Sequence, residues 1–257
     1  MRYYVTADVH GFFSSLKNTL SKLGFFEDPL PHRLLICGDI FDRGEEALQM
    51  QDFLLELLEK DQLILVRGNH EDLAIELLQG WHMGSYLQSH HHSNGTIDTA
   101  CQLTGFTFRE VYTHSQQLCR DFLKTPFVQT LIPAAVDYYE TEHYIFVHGW
   151  IPCSRHSMGS HLEKYVPVDN WRKASRKQWK EARWTNGMEA AHQGITVPGK
   201  TIVCGHWNCS FGHARYEQDG GEFDNNPNFD PYYGNGIIAL DACTAFSKQV
   251  NCIIIND

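Results

Sequence analysis

The sequence predicts an α/β fold built from successive strand, loop and helix units, and three observations carry that expectation. Short apolar runs recur through the first 71 residues, and the runs end abruptly in short loops that carry aspartate, glycine, asparagine or histidine. The stretches between them carry apolar residues at helical spacing. Each run has the length of a strand buried on both faces, the pattern of parallel strands joined by helical crossovers. In such a sheet the loops at the carboxyl ends of neighbouring strands converge on one crevice, so the residues they deliver share a site.

Residues 2–7 form the first strand candidate. Phe12, Phe13, Leu16, Leu20 and Leu23 then recur at helical spacing until Gly24 offers a C-cap. The run 34–37 is the second strand. It feeds GDIFDRG at 38–44, which brings Asp39, Asp42 and Arg43 into a tight loop of the composition that phosphate and metal loops use. Residues 45–60 read as an amphipathic helix, with acidic residues early and lysine last to match its dipole. The third strand, 63–66, leads into RGNHE and a shorter helix over 71–78.

Residues 80–133 are rich in His, Gln, Ser and Thr and show helical patterning near 97–103 and 111–123, which predicts a helical cap inserted beside the sheet. The triple histidine His90, His91 and His92 lies in a Ser- and Gly-flanked tract without partner ligands at defined spacing, so it reads as a solvated loop. A strand over 144–147 ends at His148. The segment 171–184, WRKASRKQWKEARW, reads as a helix whose cations and tryptophans could line a substrate rim. A strand over 201–204 ends at Gly205 and His206. Residues 208–236 form a Gly-, Asn- and Asp-rich loop insertion lacking the ligand order of an EF-hand. The runs 237–240 and 250–255 resemble an antiparallel pair closing a second sheet. With no linker, repeat or low-complexity tract, residues 1–257 read as a single domain carrying insertions at about 80–133 and 208–236.

The bulk numbers narrow the function. A chain of 257 residues with 42% apolar content can bury a sizeable core, and its formal charge of -10 opposes general nucleic-acid binding, which needs clustered Lys and Arg. Eight cysteines are scattered without CxxC pairs, as expected of reduced thiols. No basic head precedes an apolar segment, and no run has the length of a membrane span. The expectation is a non-exported, cytoplasmic protein with no membrane partner.

Asp8, His10, Asp39, Asn69, His148 and His206 each stand at or just beyond the end of an apolar run, and together they offer carboxylate oxygen, imidazole nitrogen and amide oxygen. That mixture suits manganese, iron or zinc better than calcium, which prefers all-oxygen shells. One such residue alone reads as a helix cap or a satisfied surface group. Six in order read as a metal site.

The runs D-x-H-G at 8–11, G-D-x-x-D-R-G at 38–44, R-G-N-H-E at 67–71, H-G at 148–149 and G-H at 205–206 closely resemble the calcineurin-like metallophosphoesterase superfamily. Within it the pattern is similar to the phosphoprotein phosphatases, particularly their compact bacterial and bacteriophage members. The resemblance covers the strand and loop units but not 80–133 or 208–236. It implies an α/β sandwich of two mixed β-sheets flanked by helices, with the site at strand ends between them.

The resemblance also implies two divalent or trivalent ions, with manganese expected in vitro and iron or zinc as alternatives. Asp8 and His10 would hold one ion, Asp39 would bridge both, and Asn69, His148 and His206 would hold the second. A metal-bridging hydroxide would attack phosphorus in line. His70 would protonate the leaving oxygen, oriented by Asp42. Arg43 would grip two phosphate oxygens with its planar fork, with Arg67 and Arg183 as further phosphate ligands.

Two departures from the pattern bear on this. Ala7 replaces the usual glycine before the first aspartate, and Asn208 stands where the wider superfamily often carries a histidine for the first metal. An oxygen from Asn208 could substitute there. The implied function is a serine/threonine protein phosphatase. Its nearest rival is a diadenosine polyphosphate hydrolase, whose branch resembles G-D-x-x-A-R-G and G-N-H-D where this chain has Asp42 and Glu71. A non-catalytic metal-binding scaffold is more distant, since it has no need of an acid and a phosphate clamp.

Overall fold

The computed structural model describes residues 1–82, 88–157 and 163–257. Two mixed sheets pack face to face. The first has the strand order β11, β1, β2, β3, formed by Cys252–Asn256, Arg2–Thr6, His32–Cys37 and Leu63–Val66. In it β1, β2 and β3 run parallel and β11 is antiparallel to β1. The second has the order β4, β5, β8, β10, β9, formed by Tyr139–Glu140, Tyr144–Phe146, Thr201–Cys204, Ile237–Ala239 and Tyr232–Gly234. Its three central strands are parallel and its two edge strands antiparallel. A separate hairpin pairs β6 (Cys153–Ser157) with β7 (Glu163–Pro167).

Period-two alternation explains why the strands read as unbroken apolar runs. Tyr3, Val5, Leu35, Cys37, Ile64 and Val66 face the second sheet and meet Phe146, Val203 and Leu240 there. Their neighbours Tyr4, Leu34, Ile36, Leu63 and Leu65 face the opposite way, into a helical layer. On the second sheet Ile145, Ile202, Ile237 and Ala239 likewise turn outward to a second helical layer. Both faces of both sheets are therefore covered, and each fully buried Leu, Ile or Val contributes on the order of 2 kcal/mol.

The helices follow the apolar stripes. α1 spans Phe13–Lys22, α2 Ala47–Glu59 and α3 Asn69–His82. α3 is longer than its stripe predicts and starts at Asn69 itself, with Glu71 and Asp72 in its first turn. The expected helix over 111–123 is broken at His114 into α6 (Glu110–Thr113) and α7 (Ser115–Leu123). The triple histidine is not a solvated loop. It forms α4 (Ser89–Ser93), in which His91 is buried at 3% exposure, and α5 (Thr96–Thr104) follows. Ile97, Ala100, Val111, Leu118 and Phe122 from this stretch join the core beneath α1 and α2, so it packs as part of one helical layer rather than beside it.

Two expectations about later elements are corrected. The final strands do not pair with each other: β10 lies parallel to β8, whereas β11 crosses to the first sheet, after the chain turns back through a short helix, Thr244–Ser247. β10 takes β9 as its antiparallel partner across Asn235 and Gly236, and Gly236 supplies the positive φ of 74° that such a tight turn needs. The segment 171–184 puts only one of its three tryptophans at a rim, Trp184, which is part-exposed beside the His206 ring. Trp171 and Trp179 are buried against Tyr138, the latter stacked at 5.3 Å. The helix Arg176–Ala182 in this segment begins with a capping box between Ser175 and Gln178. All eight cysteines are free thiols. No helix among the described residues is long and apolar enough to cross a membrane.

Glu140 on the edge strand β4 ties three segments together. It accepts hydrogen bonds from Arg172 Nε (2.7 Å) and Nη2 (2.6 Å), and Lys200 Nζ lies 3.0 Å away. The Arg172 hydrogen bonds, reinforced by Lys200, outweigh partial burial and hold its carboxyl at about 2 against an ordinary 4.5. A depressed carboxyl contributes stability above its unfolded pKa and loses it as pH falls through the folded one. Glu140→Gln should therefore lower stability by about 1 kcal/mol or less at neutral pH. The gap from wild type should close between pH 4.5 and about 2. Urea midpoints measured across that range check this, and a gap independent of pH would contradict it.

Candidate metal centre

The parallel strands of both sheets discharge onto one edge of the sandwich. Asp8, Asp39, His148 and His206 each lie two residues beyond the last residue of β1, β2, β5 and β8, and Asn69 lies three beyond β3. Leaving an extended strand for a convergent loop in so few residues requires left-handed backbone. Asp8, His10, Asp39, Asp42, Arg43 and His206 all have positive φ, between 47° and 73°. Such conformations are unfavourable for side chains with a Cβ and concentrate at functional sites.

Close packing of the loops depends on glycine. A Cβ on Gly68 would overlap the Asp39 carboxylate and its amide, and one on Gly205 would overlap the Asp8 carboxylate. Glu71 cements the same loops. Its buried carboxylate accepts from the backbone N–H groups of Gly68 (2.6 Å), Ile40 (3.0 Å) and Asp39 (3.1 Å).

Asp39 sits at the centre. One carboxylate oxygen lies 3.8 Å from His10 Nε2 and 3.8 Å from His70 Nε2, and the other lies 3.4 Å from His148 Nε2. The buried groups His10, Asp39 and His70, and then buried Asp39 and His148 with half-buried His206, offer ligand atoms within 4.8 Å of one another. Asn69 Oδ1 lies 2.7 Å from His148 Nε2. Asp8 accepts the His206 backbone N–H at 2.9 Å.

The donor set fits a pair of cations on two grounds. First, the imidazole tautomers are set for ligation. Nδ1 of His148 donates to the Cys37 carbonyl at 2.8 Å and Nδ1 of His10 to the Phe41 carbonyl at 3.0 Å, which leaves both Nε2 lone pairs facing the cluster. Burial lowers the pKa of His10, His148 and His206, the last to about 3, so the rings are neutral. Second, the cluster carries excess negative charge. Burial, Asp241 and Asp39 push the Asp8 carboxyl well up, and burial and Asp39 raise that of Asp241 to about 6. Burial also opposes ionisation of Asp39, but the imidazoles facing it, His70 with its raised pKa among them, and the His70 backbone N–H hold it below the usual carboxylate range.

Beside this cluster His70 and Asp42 form a buried pair. His70 Nδ1 donates to Asp42 Oδ2 at 2.7 Å. Burial opposes charge on His70, but Asp39 and Asp42 outweigh it and raise its pKa above the ordinary value. Arg43 spans the front, its two terminal nitrogens 3.0 Å from His10 Nε2 and 3.1 Å from His70 Nε2. Arg67 and Arg183 point their donors elsewhere. Arg67 donates to the Ile132 carbonyl, and Arg183 is buried in ion pairs with Asp72 and Asp137 while its Nε donates to the Arg67 carbonyl. Arg183 is thus a buried clamp between α3 and the β3–β4 connection, without a free fork for phosphate. Asn208 opens the short helix Cys209–Gly212, its carbonyl accepting from Phe211.

Three residues that meet the site escape the sequence reading. Asp241 stands two residues beyond β10, the same signal that marks Asp8 and Asp39, in a run read only as a closing strand. Thr96 and Thr99, on α5, donate to Asp42 Oδ2 at 2.8 Å and Oδ1 at 2.7 Å. Their pairing is long-range, and nothing local announces it.

Glu71→Ala would leave three loop N–H groups without their acceptor. It should cost about 3 kcal/mol or more of stability and reduce metal content with it. Urea titration and elemental analysis check this, and unchanged stability would remove the cementing role. Thr96→Val with Thr99→Val should keep metal but slow phosphoester turnover by roughly tenfold or more by freeing Asp42, and equal rates would exclude that support.

Comparison with known proteins accords with the geometry. The family profile for calcineurin-like phosphoesterases matches residues 1–230. An asymmetrical bis(5'-nucleosyl)-tetraphosphatase of Anoxybacillus flavithermus is 31% identical over 86 residues, 31% of this chain and 35% of that protein. Serine/threonine-protein phosphatase 1 of Salmonella typhimurium is 38% identical over 73 residues, 28% of this chain and 31% of that one. The chain thus spans about a third of the length of these curated relatives. The crystal structure of a cold-active protein-tyrosine phosphatase from a psychrophilic Shewanella superposes with a TM-score of 0.52 at 15% identity, covering 100% of this chain and 75% of that one, a likeness of fold. With a profile match over most of its length and the two-sheet architecture to go with it, the chain belongs to the calcineurin-like phosphoesterases.

Proposed function

We propose that this protein is a phosphoric monoester hydrolase dependent on two metal ions, acting on phosphoserine and phosphothreonine in proteins. The observation that carries the reading is the His70–Asp42 dyad, fixed at both Asp42 oxygens by Thr96 and Thr99 and set beside the Arg43 fork. Asp8, His10 and Asp39 would hold one ion, and Asp39, Asn69, His148 and His206 the other. When bound, manganese, iron or zinc ions supply Lewis acidity and a nucleophilic water at neutral pH. Arg43 orients the phosphoryl group through two oxygens. His70 delivers the proton to the leaving oxygen, and Asp42 keeps that proton available even when cations neutralise Asp39.

The groove of about 610 Å³ lined by Arg43, Gln102, Phe106 and Phe108 offers room beside Arg43 for residues flanking a phosphorylated side chain. A dinucleotide polyphosphate is the second reading. Trp184, exposed at 39% and lying 5.6 Å from the His206 ring, offers a base a stacking face, and the matched tetraphosphatase adds support. A non-catalytic scaffold is disfavoured because neither the acid dyad nor the arginine fork is needed to hold a structural metal.

Asp39→Asn should lose metal and activity together, and unchanged metal content would rule out a bridging ligand. His70→Asn should retain metal yet slow hydrolysis by ~10² to 10⁴. That loss should shrink for substrates with good leaving groups, and a uniform loss would exclude the acid role. Phosphate release from a phosphothreonine peptide, measured beside cleavage of diadenosine tetraphosphate with manganese-reconstituted protein, separates the two substrate readings. Preference for the dinucleotide would overturn the first.

A further inference from the structure

Away from the strand ends, a second group of metal-ligating side chains lies between α3 and α4. Glu76 projects from α3, and His90 and His91 come from α4. His90 Nε2 lies 3.0 Å from Glu76 Oε1, and His91 Nε2 lies 4.0 Å from the same oxygen. The two imidazole centroids are 4.1 Å apart, and all three ligand atoms fall within 4.8 Å of one another. Around a tetrahedral zinc with bonds of about 2.0–2.1 Å, ligand atoms stand roughly 3.3 Å apart, so small side-chain rotations would close this group on one ion.

An ordinary ion pair does not account for the arrangement. His90 and Glu76 would satisfy one, but His91 is 3% exposed and its Nε2, facing the same Glu76 oxygen at 4.0 Å, makes no hydrogen bond among the described residues. Buried polar atoms are almost always paired. His92, the third histidine of the run, turns away to the Tyr112 hydroxyl at 3.3 Å. Glu76 and His90 keep 39% and 37% side-chain exposure, so an ion has a path in and water can complete its shell. Lys180 Nζ lies 3.9 Å from the other Glu76 oxygen, Oε2, and can balance the carboxylate without displacing the ion.

We propose that Glu76, His90 and His91 form a separate zinc-type site that clamps α4 to α3. Its ligands are distinct from those of the strand-end centre. α3 begins with Asn69 and His70, and α4 leads directly into α5, which carries Thr96 and Thr99 against Asp42. An ion there joins the two elements that hold the acid dyad in register.

The test is zinc stoichiometry of the full chain after equilibrium dialysis, in wild type, His90→Asn and Glu76→Gln, with cobalt absorption as a second readout. Both substitutions are at half-exposed positions. Wild type should hold one equivalent more than either variant, and the extra ion should bind on the order of 10²-fold more weakly once a ligand is lost. The difference should persist in an Asp39→Asn background, where zinc should still raise the melting temperature. His90→Cys, which substitutes a thiolate, should restore the ion and add a sulfur-to-cobalt charge-transfer band. Equal stoichiometry in wild type and both variants, or no zinc-dependent shift in the Asp39→Asn protein, would overturn the site without touching the phosphatase reading.

Discussion

Accumulated negative charge at the meeting edge of two sheets is the constraint around which the rest of the molecule is arranged. Asp8, Asp39 and Asp241 are brought together in a buried space where an isolated carboxylate is costly to ionise. The chain itself offsets part of this with the His70 imidazole beside Asp39 and with the Arg43 fork. Cations held by the His and Asp groups there would complete the neutralisation. A fold that spends conformational strain on six left-handed non-glycine residues at this edge must hold them from behind.

That support comes from the sandwich. Because both faces of each parallel strand are buried, the strands cannot slide by one residue without moving every side chain to the wrong layer. Register therefore transmits directly into the positions of the strand-end residues. Glu71 then locks the β2 and β3 loops together through three backbone N–H groups, and Arg183 fastens α3 to the segment leading into the second sheet. Residues that resemble substrate ligands by their place in the sequence can thus serve the scaffold instead.

The helices between β3 and β4 connect this scaffold to the chemistry. They bury Ile97, Ala100 and Phe122 in the same core as the crossover helices, and from that base α5 reaches Asp42 with two hydroxyls. Asp42 accepts from Thr96, Thr99 and the His70 ring, so its carboxylate is held from both sides. His70 is thus positioned, through Asp42, by a segment remote in sequence from the loop that carries it.

The sequence by itself determined the strand-end residues, because a buried parallel strand needs an uninterrupted apolar run and its abrupt polar end marks the loop. It also determined the amphipathic helices, whose period is local. Asp241 carried the same mark and was legible in principle, as was the Asn235–Gly236 turn behind the β9–β10 hairpin. Only the tertiary structure decided that β10 and β11 part to different sheets, that Trp171 and Trp179 pack inward, and that Arg183 is neutralised by Asp72 and Asp137. The same holds for Thr96 and Thr99 on Asp42, and for Glu76 meeting His90 and His91. Each of these depends on which distant surface a residue meets after packing, and periodicity along the chain carries no information about that partner.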